Sequence, residues 1–94
     1  MKETAIYIPD TKITRKDITM LKIFNFNNIY VFTSKIKSEN TVYINNDVNI
    51  LTLLIKKHVI KILIIYKKKY ISKKEIYILK KCCYKYKCDV IYVL

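Results

Sequence analysis

The sequence contains no glycine and no tryptophan, and proline, histidine and arginine each occur once. Without glycine, a glycine-rich phosphate-binding loop is impossible. Turns that need a positive φ angle are predicted to fall on asparagine or aspartate, at some cost in strain. The single arginine, Arg15, counts against sequence-specific reading of DNA, because bidentate contacts to guanine use arginine most often.

Acidic residues are also scarce. The chain has 7 acids against 19 lysines and arginines, which gives a formal net charge of +12. This charge favours nucleic acid or an anionic membrane surface as a partner. The alternative is that the lysines only keep an apolar protein in solution, since the codon usage of an AT-rich genome would enrich lysine together with isoleucine, asparagine and tyrosine. The charge alone leaves both interpretations open.

The length of 94 residues and the hydrophobic content of 52% predict one compact domain that spans residues 1–94. The most apolar run, residues 50–66, is interrupted by three lysines and His58, so no membrane span is expected. The opening "MKETAIYIPD" lacks the apolar segment of a signal peptide. We therefore expect a cytoplasmic protein.

The three cysteines lie close together near the end of the sequence, at Cys82, Cys83 and Cys88. An odd number of cysteines without a secretory signal indicates reduced thiols. Their spacing does not fit a structural zinc site, which takes four ligands, and His58 lies far upstream. No metal, cofactor or small-molecule substrate is expected.

Short apolar runs alternate with helical patterns along the whole chain. Thr14 with Asp17, and Ser72 with Glu75, have the spacing of a capping box at a helix start. The predicted helices are 14 to about 24, from Asn46 or Asp47 to about 58, and 73–86. The predicted strands are 4–8, 28–33, 59–66 and 89–94, with 41–45 as an extra or edge strand. This order predicts an α/β fold of three layers, with about four mainly parallel strands and three helices.

A run of lysines follows the most apolar predicted strand. In parallel sheets, ligands bind at the carboxyl ends of strands, and the residues after the first strand should lie on the same face. An anion could also bind the backbone N–H groups at the start of the next helix. The candidate nucleic-acid contacts are Lys12, Arg15, Lys16, Lys67, Lys68, Lys69, Tyr70, Lys73 and Lys74. The alternative is a solvated loop in a lysine-rich protein.

Nine tyrosines are interleaved with the lysines. Bases of single strands stack on aromatic rings beside cationic side chains, and Tyr70 is the tyrosine nearest the candidate site. Tyr77, Tyr84 and Tyr86 would instead form an exposed aromatic face on the last helix. Such a face, if contiguous, indicates a protein partner or a homodimer.

The pattern resembles the catalytic domain of serine recombinases, the resolvase/invertase family. "TAIYIPDTK" is similar to the family's first strand, usually A-I-Y-x-R-x-S-T, and "IYVFTSK" to its second, usually I-Y-x-D-x-G-x-S. "VIKILIIYKKKYISKK" resembles the stretch V-I-V-x-K-x-D-R-L-S-R. The resemblance spans most of the chain and rests mainly on the hydrophobic pattern.

The departures from the family pattern concern its catalytic residues. The resemblance places the nucleophilic serine near Thr11 and the first-strand arginine near Pro9. The Asp-Arg pair falls at Lys69 and Tyr70, and the final arginine at Lys73. The serine between them is kept as Ser72. Phosphoryl transfer needs a nucleophile and rigid cations. The resemblance therefore implies a non-catalytic relative, without the dimerisation helix and DNA-binding domain that follow in the family.

Three functional classes follow. The first is an accessory or regulatory factor, of the kind found in phages or mobile elements, that binds nucleic acid through the strand-end lysines. The second is a protein-binding regulator or inhibitor that uses the tyrosine-rich last helix. The third, a nuclease or recombinase that uses Thr11 or Ser72, is the weakest, so we expect no enzyme.

Overall fold

A computed structural model describes residues 3–9, 14–21, 29–32, 43–44 and 48–94. Its centre is a five-stranded sheet in the order β3-β2-β1-β4-β5, and every described strand pair is parallel. The strands are β1 (Thr4–Tyr7), β2 (Ile29–Phe32), β3 (Tyr43–Ile44), β4 (Ile62–Tyr66) and β5 (Asp89–Val93). The predicted α/β architecture is confirmed, and the 41–45 segment supplies the edge strand β3.

Three helices and one 3₁₀ turn connect the strands. They are α1 (Arg15–Leu21), α2 (Val48–Lys56), the 3₁₀ turn Lys68–Tyr70 and α3 (Lys73–Lys85). The hydroxyl of Ser72 accepts a hydrogen bond from the Glu75 N–H at 3.2 Å, so α3 begins where the capping pattern predicts. The Glu75 carboxylate turns to the sheet instead of completing the capping box, and it accepts a hydrogen bond from the Tyr7 hydroxyl at 2.9 Å.

The sheet is covered on both faces. On one face, Leu51 and Ile55 of α2 pack with Leu79 of α3 against Leu63 and Ile65 of β4. On the other face, Ile6, Ile8, Val31 and Tyr66 form a smaller cluster, and α1 contacts Tyr66 through Asp17. This alternation of side chains along each strand is why β1 from Ala5 onward and β4 are mainly apolar, as expected for strands buried on two faces.

The residues with a positive φ angle differ from the prediction. Among the described residues they are His58, Lys67 and Lys87, and none is asparagine or aspartate. His58 and Lys87 each stand just past the end of a helix. The Val59 N–H bonds to the Leu54 carbonyl at 3.0 Å after α2, as the Cys88 N–H bonds to the Cys83 carbonyl at 2.8 Å after α3. His58 and Lys87 have a positive φ angle because of their position in this helix-end motif, a position that glycine normally occupies.

The first part of the predicted strand 59–66 belongs to this helix end. The His58 N–H bonds to the Ile55 carbonyl at 3.0 Å, and the Ile60 N–H bonds to the Leu54 carbonyl at 3.3 Å, so the chain reaches the sheet only at Ile62. His58 is therefore a helix-end residue, as expected. Among the described residues, no helix is long and apolar enough to cross a membrane.

Candidate functional site

The strand order fixes where a ligand site is expected. From β1 the chain moves to one side for β2 and β3, and then crosses to the other side for β4 and β5. Open α/β sheets bind ligands in the crevice at the carboxyl ends of the strands where this direction reverses. In this protein that crevice lies between β1 and β4, beside Tyr66 and Lys67.

A buried carboxylate occupies the crevice. Asp17, in the first turn of α1, is only 7% exposed. Its Oδ1 accepts a hydrogen bond from the Tyr66 hydroxyl at 2.8 Å, and its Oδ2 lies 2.7 Å from the Lys67 ammonium. Oδ2 also accepts hydrogen bonds from the backbone N–H and the hydroxyl of Thr14, both at 2.9 Å. The acid therefore joins α1 to the end of β4.

The hydrogen bonds around Asp17 determine the protonation states of Asp17 and Tyr66. The bond from Lys67, followed by the backbone N–H of Thr14, holds the pKa of Asp17 well below its ordinary value of 3.8. Burial, together with the hydrogen bond to Asp17, raises the pKa of Tyr66 to about 12. Asp17 is thus an anion and Tyr66 a neutral phenol across the physiological range.

Lys67 is accordingly part of the fold. Its backbone N–H bonds to the Val93 carbonyl of β5 at 2.7 Å, while its side chain, 20% exposed, holds Asp17. Its ammonium also lies 5.7 Å from the centre of the Tyr70 ring. Lys67 therefore stabilises the end of β4. The lysines that face solvent are the next two residues, Lys68 and Lys69.

The 3₁₀ turn carries those two lysines. Lys68 and Lys69 are exposed. The Lys68 ammonium lies 4.9 Å from the centre of the Tyr92 ring, and the Lys69 ammonium lies 5.1 Å from that of half-buried Tyr70. Cation–π contacts of this length hold an ammonium beside a ring by electrostatic attraction.

Further cations and two tyrosines share one side of α3. Lys73, Tyr77, Lys80 and Tyr84 recur at three- and four-residue steps, which place them above one another on a helix. Tyr77 is 63% exposed and Tyr84 is 91% exposed. The Lys81 ammonium lies 5.6 Å from the centre of the Tyr77 ring.

The strand-end lysines and this side of α3 line the same groove, with a volume of about 1100 Å³. We call it the lysine–tyrosine groove. None of the described residues that line it has an acidic side chain. Its lining consists of Lys67, Lys68, Lys69, Lys73, Lys80, Lys81, Tyr70, Tyr77, Tyr84, Ile71, Ile76 and Leu94. The structure therefore unites two surfaces that the sequence suggested as separate sites.

Three of the candidate contacts lie outside the groove. Arg15 and Lys16 are exposed on the first turn of α1 and do not line the groove, nor does exposed Lys74. Lys12 lies outside the described residues, as does Thr11. Lys80 and Lys81 were missing from the predicted set. The signal that could have found them was their helical spacing from Lys73 and Tyr77.

Tyr86 does not belong to an aromatic face with Tyr77 and Tyr84. It ends α3, is half-buried, and packs edge-on to His58 with ring centres 6.3 Å apart. Nine residues separate it from Tyr77, which turns it to the opposite side of the helix. The predicted face of three tyrosines is therefore reduced to two.

The cysteines are packing residues. Cys83 and Cys88 are buried on the two sides of the chain reversal after α3, and Cys82 is half-buried with its Sγ 3.7 Å from the Thr52 carbonyl. Burial raises the pKa of all three thiols, so they stay protonated. Within the described part of the chain, no three His, Cys, Asp or Glu side chains are grouped to hold a metal ion.

No protein-family model matches the chain, and neither a curated protein nor a solved structure matches it. The resemblance to serine recombinases therefore rests on the sequence pattern alone. Functional inference depends on the geometry and charge of the groove.

Proposed function

We propose that the protein is a non-catalytic, resolvase-like accessory or regulatory factor that binds nucleic acid through the lysine–tyrosine groove. The observation that carries this proposal is the groove itself, in which six lysines surround a volume of about 1100 Å³ and no acidic side chain occurs among the described lining residues. Phosphates are the anions that a row of lysines binds through many weak, salt-sensitive contacts. The buried carboxylate at this strand end, Asp17, is already compensated by Lys67.

The absence of catalysis is argued from Ser72 and Asp17. Ser72 is the residue that the recombinase pattern keeps, and its hydroxyl caps α3 by accepting from the Glu75 N–H. Asp17 is an anion that already accepts hydrogen bonds from Tyr66 and Thr14, which makes it a weak general base. Both groups are explained by their contribution to the fold.

The test is binding of fluorescent DNA and RNA oligonucleotides at about 50 and 200 mM salt. Two triple variants with the same net charge of +9, three less than the +12 of the wild type, are compared. The groove variant carries Lys68→Gln, Lys73→Gln and Lys80→Gln, and the control carries Lys56→Gln, Lys57→Gln and Lys87→Gln on exposed positions outside the groove. Lys67 is left unchanged because its loss would leave the buried Asp17 carboxylate without its cationic partner.

We expect wild-type affinity to fall by about 10²–10³-fold over this salt range, as several phosphate contacts require. The groove variant should bind far more weakly than the control variant at equal net charge. Equal binding by the two variants would mean that net charge alone gives the affinity, and it would contradict binding through the groove.

The exposure of Tyr77 and Tyr84 also favours the second candidate, a protein-binding regulator or homodimer that uses this side of α3. A partner other than a second copy of the chain would have to be acidic, because all charged side chains that line the groove are positive. Sedimentation of the protein alone at both salt concentrations tests the homodimer. A dimer that is lost on Tyr84→Lys and is indifferent to salt would favour this candidate.

A further inference from the structure

Two of the three tyrosines that line the groove, Tyr77 and Tyr84, are exposed. Tyr77 and Tyr84 are separated by two turns of α3, so they lie on nearly the same side of the helix. Their Cα atoms are therefore about 10 Å apart along the helix axis. Exposed rings have an apolar face on which a flat aromatic group can stack.

We propose that the groove binds single-stranded rather than duplex nucleic acid, with Tyr77 and Tyr84 as platforms for two bases. This inference rests on the proposed function and names its substrate class. A duplex hides the faces of its bases, so it can offer the groove only phosphates and leaves the rings unused. A single strand offers both phosphates and base faces, and stacking on aromatic side chains is how such strands are held.

The spacing of the two positions along the helix suits a strand. Bases along one strand rise about 3.4 Å per nucleotide when stacked, so side chains whose Cα atoms lie about 10 Å apart along the axis can meet bases about three nucleotides apart, or fewer in an extended strand. Lys80 and Lys81 lie between the two tyrosines in sequence, and the Lys81 ammonium is 5.6 Å from the Tyr77 ring centre. Phosphates between the stacked bases would meet these ammonium groups.

Tyr70 is less suited to this role. It is half-buried, and the ammonium groups of Lys67 and Lys69 lie 5.7 and 5.1 Å from its ring centre. Its ring is already in contact with two cations. Stacking is therefore assigned to Tyr77 and Tyr84, and Tyr70 to the support of the lysines around it.

The experiment compares a labelled 12-nucleotide oligo(dT) with a labelled 12-base-pair duplex, using Tyr77→Leu, Tyr84→Leu and the corresponding phenylalanine variants. Both positions are exposed, and thermal melting confirms that each variant is folded. We expect tighter binding of oligo(dT) than of duplex, and a loss of about tenfold in oligo(dT) affinity for each leucine change. Phenylalanine retains the ring and should retain the affinity. The salt slope should stay the same in the leucine variants, since no phosphate contact is removed.

The outcomes separate the two proposals. Equal affinity for duplex and oligo(dT), or leucine variants that bind oligo(dT) as well as wild type, would overturn the single-strand inference while the lysine test still stands. Failure of the protein to bind either probe at about 50 mM salt would overturn the proposed function together with the inference. Tighter binding to phosphatidylserine vesicles than to either probe would also overturn both.

Discussion

The Lys67 ammonium lies 2.7 Å from Oδ2 of Asp17, and this ion pair joins the end of β4 to the first turn of α1 across 50 positions of sequence. Both side chains are largely buried, so each charge has lost most of its hydration and depends on the other for stabilisation. Lys67, the first lysine of the run, therefore has a structural role. It also explains why Lys68 and Lys69, and not Lys67, face outward.

The ion pair is expected to contribute to stability as a coupled unit. Asp17→Asn or Lys67→Met should each lower the free energy of unfolding by about 1–3 kcal/mol, because each leaves one buried polar group without its charged partner. The double variant should lose less than the sum of the two. Urea unfolding of the four proteins gives the coupling energy. Additive losses would mean that the two charges do not interact in solution.

Asp17 should also make stability depend on pH in acid. Its pKa in the folded protein is below the ordinary value of 3.8, so on acidification the unfolded chain takes up this proton first. The stabilisation is therefore complete above about pH 4 and is lost as the pH falls toward the folded pKa. Urea midpoints of wild type and Asp17→Asn between pH 6 and about pH 2.5 should converge as the pH falls. A constant difference between them would contradict the lowered pKa.

The elements of the fold were predictable, and the Asp17–Lys67 pair was not. Ser72 and Glu75 signal the start of α3 within four residues, and the apolar run 59–66 predicts a central strand, of which 62–66 form β4. Asp17 shows only its local capping spacing in the sequence. Its partner depends on the placement of β4 beside β1, which is a property of the topology and not of any window of sequence.

The turn after α3 provides a test of strain at a residue other than glycine. Lys87 has a φ angle of 57° and is exposed, so Lys87→Gly removes a Cβ from the left-handed region. We expect a gain of up to about 1 kcal/mol in unfolding free energy. Lys85→Gly, two residues earlier inside the helix, is the control and should cost about 1 kcal/mol. If both changes destabilise equally, the turn is not strained.

The sequence could not assign these turns because it contains no glycine to mark them. A lysine stands in the last turn of each helix two residues before the turn, Lys56 before His58 and Lys85 before Lys87, and it signals the helix end but not the conformation. Likewise, only part of the groove lining could be predicted from the sequence. The lysines after β4 are contiguous in sequence, whereas Lys80 and Lys81 join them only because α3 begins directly beyond the 3₁₀ turn.

Lys73 and Lys74 form a matched pair that separates stability from binding. Both are exposed in the first turn of α3, where a cation opposes the helix dipole, and only Lys73 lines the groove. Lys73→Gln and Lys74→Gln should each raise the unfolding free energy by about 0.3–1 kcal/mol at low salt. Only Lys73→Gln should weaken oligonucleotide binding and reduce the salt slope, by about 0.7 for one lost contact to a single strand. Urea unfolding and salt-dependent binding of the two variants measure both effects. If Lys74→Gln weakens binding as much as Lys73→Gln, the contact surface extends around the helix start and is not confined to the groove.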